Sequence, residues 1–216
     1  MSKVRVKICG ITRYEDLAVA AEAGADAVGF VVDVPSSPRN LTTGKALKLI
    51  KRTPIFVKTV AVTVPKNLYH ITRIYEKLRT DSIQIHGDNF SYTIREEFPN
   101  TSLIRALQVS STNRVVKAAI KAAKDFDAIL LDSGKYGGTG KTHEWQLDKL
   151  VKEAIYPKPL ILAGGLKPEN VKEAICTVKP YAVDVSSGVE SLPGIKDSEK
   201  IFEFIKKAKE VDVWIN

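Results

Sequence analysis

The stretch Val4-Arg5-Val6-Lys7-Ile8-Cys9 runs through Gly10-Ile11-Thr12-Arg13 into Tyr14-Glu15-Asp16-Leu17-Ala18-Val19-Ala20-Ala21-Glu22-Ala23, and then into Ala27-Val28-Gly29-Phe30-Val31-Val32. Two β-branched runs flank a segment of helical spacing. A helical crossover between two strands makes the strands parallel. The same alternation continues along the chain. Strand-like runs fall at 4–9, 27–32, 55–62, 82–86, 102–107, 128–132, 160–163 and 182–185. Helical spacing falls at 14–23, 45–51, 68–78, 92–97, 114–124, 146–153, 168–175 and 198–209. Within the sixth helix, Leu147, Leu150, Val151 and Ala154 predict one buried stripe. Pro168 is expected in the first turn of the seventh, and Pro54, Pro99 and Pro159 stand just before strand runs, where a helix has ended. Eight units make about 27 residues per unit, the size of a compact strand–helix repeat. An open doubly wound sheet more often uses five or six strands. The pattern therefore predicts an α/β fold, a single (β/α)8 TIM barrel, with residues 1–216 as one domain.

Composition agrees with a globular chain. Hydrophobic residues are 44 % and charged residues 27 % of the 216, which excludes disorder and collagen-like structure. No run of eighteen apolar residues occurs, so no transmembrane helix is expected. The N-terminal residues lead straight into a strand pattern with no apolar leader, and Cys9 and Cys176 are too few for a disulfide framework, so a cytoplasmic protein is expected. The net charge of +8 fits either nucleic acid or a small anionic substrate drawn in by long-range attraction. The densest basic run, Lys206, Lys207 and Lys209, lies on the last helix and reads as a solvated face. Aromatics are only 7 % and do not interleave with basic residues, which argues against a nucleic-acid module.

In a barrel of this kind, chemistry belongs at the C-terminal strand ends. Those ends carry Cys9-Gly10, Arg39 in a Ser/Pro loop, His86-Gly87, Asp132, Gly164-Gly165 and Ser186-Ser187-Gly188. Cys9 is either a small core residue or a reactive thiol, depending on whether a cation lies near it. Strand alternation puts Lys7 on the same side as Cys9, two residues and about 6.6 Å below it. A lysine pointing into a barrel needs a partner. Asp184, on the strand that would neighbour the first one, is the expected partner. Cys176, on a helix, is expected to be a packing residue.

Asp132 follows the apolar run Ala128-Ile129-Leu130-Leu131 and reads as a proton donor or as a cap for the next segment. The two Gly/Ser turns after the seventh and eighth strands read as a phosphate cradle. Arg39 has the planar fork that clamps a carboxylate, and His86 reads equally as a core imidazole or a substrate contact. Gly137-Gly138-Thr139-Gly140-Lys141-Thr142 fails the P-loop spacing and is expected to be a lid containing Gly137, Gly138 and Gly140. No His/Asp/Glu set has metal-ligand spacing, so no metal is expected.

Together these blocks resemble the phosphoribosylanthranilate isomerase family. The resemblance rests on Lys7-Ile8-Cys9-Gly10-Ile11-Thr12, Gln84-Ile85-His86-Gly87, Leu130-Leu131-Asp132, Gly137 to Thr142, Gly164-Gly165-Leu166-Lys167-Pro168-Glu169-Asn170-Val171 and Val183-Asp184-Val185-Ser186-Ser187-Gly188-Val189-Glu190, in that order. It implies an Amadori rearrangement of N-(5-phosphoribosyl)anthranilate in tryptophan biosynthesis, without a cofactor. It further implies Cys9 as general base, Asp132 as general acid, Arg39 on the anthranilate carboxylate and the two turns on the phosphate. The chain departs from the family at His143-Glu144-Trp145, where Phe-Asp-Trp is usual, and at Asp33-Val34-Pro35, where a Pro-Lys-Ser form is common. A histidine-pathway isomerase of the same architecture would use two aspartates, and Cys9 argues against it. The expected partner is the small phosphorylated sugar–anthranilate substrate, with no nucleic acid or membrane, and the state is monomer or homodimer.

Overall fold

The computed structural model describes residues 2–87, 94–108, 112–132 and 145–213. Among them, eight parallel strands form a barrel: β1 Arg5–Cys9, β2 Ala27–Val32, β3 Lys58–Thr63, β4 Ser82–Ile85, β5 Ser102–Gln108, β6 Ala128–Asp132, β7 Leu160–Ala163 and β8 Ala182–Val185. The helices between and after them are α1 Tyr14–Glu22, α2 Thr43–Ile50, α3 Leu68–Leu78, α4 Ile94–Glu97, α5 Thr112–Ala122, α6 Trp145–Ile155, α7 Val171–Val178 and α8 Ser198–Glu210. The barrel closes because β1 pairs on both sides. Lys7, Ile8 and Cys9 register with Ala27, Val28 and Gly29 of β2, while Arg5, Val6, Lys7 and Ile8 register with Ala182, Val183, Asp184 and Val185 of β8.

The period of two along each strand divides the core in two. On β1, Val6 and Ile8 belong to the outer cluster with the helices, and Cys9 belongs to the inner one. Val60 and Val62, Ile104 and Ala106, Ala128 and Leu130, Ile161 and Ala163 fill the interior with Cys9. The outer shell is completed by fully buried side chains such as Phe30, Phe126 and Phe204. Side-chain caps begin several helices: Thr42, Asn67 and Asp197 accept from the backbone N–H of Lys45, His70 and Lys200.

Four local expectations differ from the structure. Residues 55–57 are not strand; β3 begins at Lys58, where register with Ala27 starts, and the N–H of Val57 instead donates to the carbonyl of Pro54 in a turn. The buried stripe of α6 is Leu147, Asp148, Val151 and Ile155, whereas Leu150 and Ala154 are exposed. The helix begins at Trp145, and its buried side is turned so that Ile155 replaces Ala154. Pro168 lies in a turn ahead of α7, in which Asn170 and Val171 both donate to the carbonyl of Lys167. Cys176 is exposed rather than packed. In the basic run, Lys206 is exposed, and Lys207 and Lys209 pair with Glu203 and Asp26.

Phe204 is fully buried at the α8–barrel interface. Phe204→Ala is expected to lower unfolding free energy by about 3–5 kcal/mol with an unchanged denaturant slope, measured by urea titration.

Candidate active site

The parity of the strands aims one set of side chains into the barrel mouth. Cys9 ends β1 and is 6 % exposed. Asp132 ends β6 and is half-buried. A cavity of about 280 Å³ at this mouth is lined by Arg39, Asp132, Ala163, Gly164, Gly165, Leu166, Asp184, Val185, Ser186 and Ser187. Carboxyl, guanidinium and both turns thus share one cup. A β-carbon built on Gly10 would lie 2.5 Å from Arg39 Cδ and 3.0 Å from Ser186 Oγ, so Arg39 and Ser186 pack against the residue next to Cys9.

The turns have a local cause. Gly164 and Gly165 have φ of 82° and 66°, a left-handed pair that side-chain-bearing residues rarely adopt. Asn170 closes the loop by accepting from the Lys167 N–H at 2.9 Å and donating to the Gly165 carbonyl at 3.0 Å. After β8, a β-carbon on Gly188 would lie 1.9 Å from the Leu166 carbonyl oxygen. Only glycine lets the two turns approach this closely.

Lys7 is 4 % exposed and donates to Asp184 Oδ1 at 2.9 Å, the pairing expected from the sequence. Burial lowers the Lys7 pKa, but Asp184 and Cys9 raise it by more, so the ammonium stays charged. Burial pushes the Cys9 thiol upward, and Asp184 adds to this; Lys7 opposes it through charge and a hydrogen bond, and Lys196 opposes it through charge. His86 lines a neighbouring cavity of about 490 Å³ over the ends of β4 and β5, with Gly87, Gln108 and Arg114 among its walls. Its Nε2 lies 2.8 Å from the Gln84 side-chain nitrogen. Burial lowers the His86 pKa, partly offset by Asp132, so the imidazole is neutral at pH 7 and lies within electrostatic reach of Asp132.

Arg39 is engaged in a way that the sequence did not foretell. Its Nε and Nη2 donate to the two oxygens of Glu190 at 2.7 and 2.6 Å. Lys196 donates to Glu190 Oε1 at 2.9 Å and to the Ser186 carbonyl at 3.0 Å. Burial raises the Glu190 pKa, but Arg39 and Lys196 pull it below the usual carboxylate range. Burial lowers the Lys196 pKa against the pull of Glu190. Glu190 was visible at the end of the Ser-Ser-Gly-Val-Glu block, without a role. Lys196 carried no motif at all: it sits on a two-residue strand, Ile195–Lys196, paired antiparallel with Glu190–Leu192. Asp33, one of the departures, has φ of 53° and faces His70 at 3.5 Å. The glycines Gly137, Gly138 and Gly140 and the residues His143-Glu144 lie outside the described residues.

Glu190 binds two cations with its side chain only 6 % exposed. Glu190→Ala and Glu190→Gln are each expected to cost on the order of 3 kcal/mol, because both strand buried positive charge. Urea denaturation of the two variants beside the parent checks this.

Comparison with known proteins gives one consistent result. The family described as PRAI, N-(5'phosphoribosyl)anthranilate (PRA) isomerase, matches residues 6–207. The N-(5'-phosphoribosyl)anthranilate isomerase of Pseudomonas fluorescens is 44 % identical, covering 97 % of this chain and 100 % of its own. A crystal structure of monomers generated from the dimeric phosphoribosylanthranilate isomerase of Thermotoga maritima superposes with a TM-score of 0.84 at 38 % identity, over 96 % of this chain and 100 % of the other. A phosphoribosylanthranilate isomerase solved with reduced 1-(o-carboxyphenylamino)-1-deoxyribulose 5-phosphate gives a TM-score of 0.84 at 39 % identity, with the same coverage.

Proposed function

This chain belongs to the N-(5'-phosphoribosyl)anthranilate isomerase family, an isomerase of tryptophan biosynthesis, and we propose that Cys9 and Asp132 are the proton-transfer pair of its reaction. The observation that carries the assignment is that Asp132 shares one cup with Arg39 and the turns at Gly164-Gly165 and Ser186-Ser187, and that Arg39 and Ser186 of that cup pack against Gly10, the residue after Cys9. In the ground state the substrate is a ribofuranosylamine. Asp132 gives a proton to the ring oxygen, the bond from that oxygen to C1 breaks, and the aromatic nitrogen supplies the electron pair that forms the iminium. The Cys9 thiolate then removes the proton from C2, giving an enolamine. Ketonisation adds a proton at C1 and removes the hydroxyl proton at C2, so no net proton is consumed. Positioning of both groups against one sugar supports the rate.

Gly164, Gly165, Ser186, Ser187 and Gly188 would hold the phosphate through backbone N–H groups and the Ser186 and Ser187 hydroxyls. Arg39, fixed by Glu190, would face the anthranilate carboxylate, and neutral His86 would contact the substrate beside Asp132. The net charge of +8 favours capture of this anion. The 216 residues act as one catalytic domain. A reduced thiol base suits the cytoplasm. Among the described residues, no helix is long and apolar enough to cross a membrane.

For the assembled state we propose a homodimer. Ile55 and Phe56 are 90 % and 93 % exposed, adjacent, and at the foot of β3, away from the mouth. Two large apolar side chains so bare mark a contact surface, and the Thermotoga relative is described as dimeric. Sedimentation is expected to give a dimer for the parent and a monomer for Phe56→Glu; a monomeric parent refutes the assignment.

Cys9→Ser and Asp132→Asn are each expected to lower kcat by about 10²–10⁴-fold while leaving the circular dichroism spectrum unchanged. Near-full turnover in both would remove the mechanism. Because burial raises the Cys9 pKa, the thiolate fraction grows with pH. The kcat/KM of the parent is therefore expected to climb from neutral into alkaline pH, and a profile falling over that range contradicts Cys9 as base.

A further inference from the structure

We propose that Lys7 is the positioning residue of the base: its ammonium favours the thiolate form of the Cys9 sulfur inside the barrel, with Asp184 anchoring the ammonium and Gly29 leaving room for both. This rests on the assignment of Cys9 as base. Three observations carry it. Lys7 is 4 % exposed and points into an interior filled by Val, Ile, Leu and Ala. A buried ion pair in such a place adds little stability compared with apolar packing, so its presence calls for another role. The ammonium is pinned by Asp184 at 2.9 Å. A β-carbon on Gly29 would lie 2.9 Å from Cys9 Sγ and 3.0 Å from Lys7 Nζ, so sulfur and ammonium border the same notch, which exists because residue 29 has no side chain.

The other charges felt at the thiol come from three further elements. Asp184 on β8 disfavours the thiolate and Lys196 of the hairpin favours it, and Arg39 of the loop after β2 is coupled to it. His86 feels the charges of Asp132, Lys7 and Asp184, and burial keeps its imidazole neutral. Lys7 is the largest opposition to burial at the sulfur, outweighing Asp184 and adding a hydrogen bond. Removing the Lys7–Asp184 pair together therefore leaves the thiol harder to ionise. During turnover the ammonium keeps its proton; the C2 proton passes to sulfur alone, and the thiol so formed needs the cation less than the thiolate did.

The test uses a Cys176→Ser background, so that Cys9 is the only thiol. Thiolate absorbance is titrated against pH, with Cys9→Ser in the same background as the blank for tyrosine ionisation. Lys7→Met/Asp184→Asn removes both charges at once, so no lone charge is buried. Gly29→Ala keeps both charges but crowds the ammonium and sulfur apart. Lys7→Met/Asp184→Asn is expected to move the thiol titration upward by about one unit or more, with about a tenfold loss of kcat/KM at neutral pH that recovers as pH rises. Gly29→Ala is expected to move it in the same direction by less, and decides the matter if the double variant does not fold. A titration unmoved in the folded variants, or activity lost equally at every pH, overturns the role of Lys7. If the absorbance moves while the kcat/KM limb stays, Lys7 favours the thiolate as proposed and the assignment of Cys9 as base is what fails.

Discussion

Barrel closure sets one neighbour relation on which the site depends: the first strand must lie beside the last. The register between them aligns Lys7 with Asp184, and the pleat turns both inward. A one-residue slip would send Lys7 outward into the helix shell and bring Val6 and Ile8 inside. The buried ion pair is thus a mark of correct register as well as a charge reservoir below Cys9. It also explains why a lysine and an aspartate, 177 positions apart in the chain, stand 2.9 Å apart in a mainly aliphatic interior.

A second ionic cluster fixes the loops above the same part of the barrel. Arg39, Glu190 and Lys196 carry one net positive charge between them, and they tie the loop after β2 to the hairpin after β8. The hairpin is also stitched to the first loop, where the Thr12 hydroxyl donates to the Gly194 carbonyl at 2.5 Å and Asp16 accepts from the Lys196 N–H at 3.2 Å. Loops that would otherwise be loosely held become rigid in this way. The Ser186 turn, whose carbonyl accepts from the Lys196 ammonium, is held relative to Gly10 and Arg39. Such preorganisation is what a site for two anionic groups of one ligand requires.

Much of this was legible in the linear pattern. The alternation of β-branched runs and helical spacing located all eight strands, four of them to the residue: 27–32, 128–132, 160–163 and 182–185. Cys9, Asp132, Gly164-Gly165 and Ser186-Ser187 were legible because strand ends in a parallel barrel converge whatever the helices do between them. The Lys7–Asp184 pair was legible because parity and closure are both simple rules. Residues 55–57 misled because a β-branched and aromatic run reads as strand wherever it occurs, whereas pairing register decides where a strand begins. Leu150 and Ala154 misled because spacing fixes a helical face but not which way that face turns.

The amino-acid sequence by itself determined the number of units, the parallel sheet, and the residue types offered at each strand end, since these follow from local periodicity and chain order. The tertiary structure alone decided which charges meet: that Arg39 is held by Glu190, that Lys196 completes the cluster from a two-residue strand, and that Gly29 opens the space where sulfur and ammonium face each other. The physical reason is range. Hydrogen-bond periodicity acts over a few residues and is written locally, whereas Coulomb attraction and steric exclusion depend on distances that exist only after the chain has closed on itself.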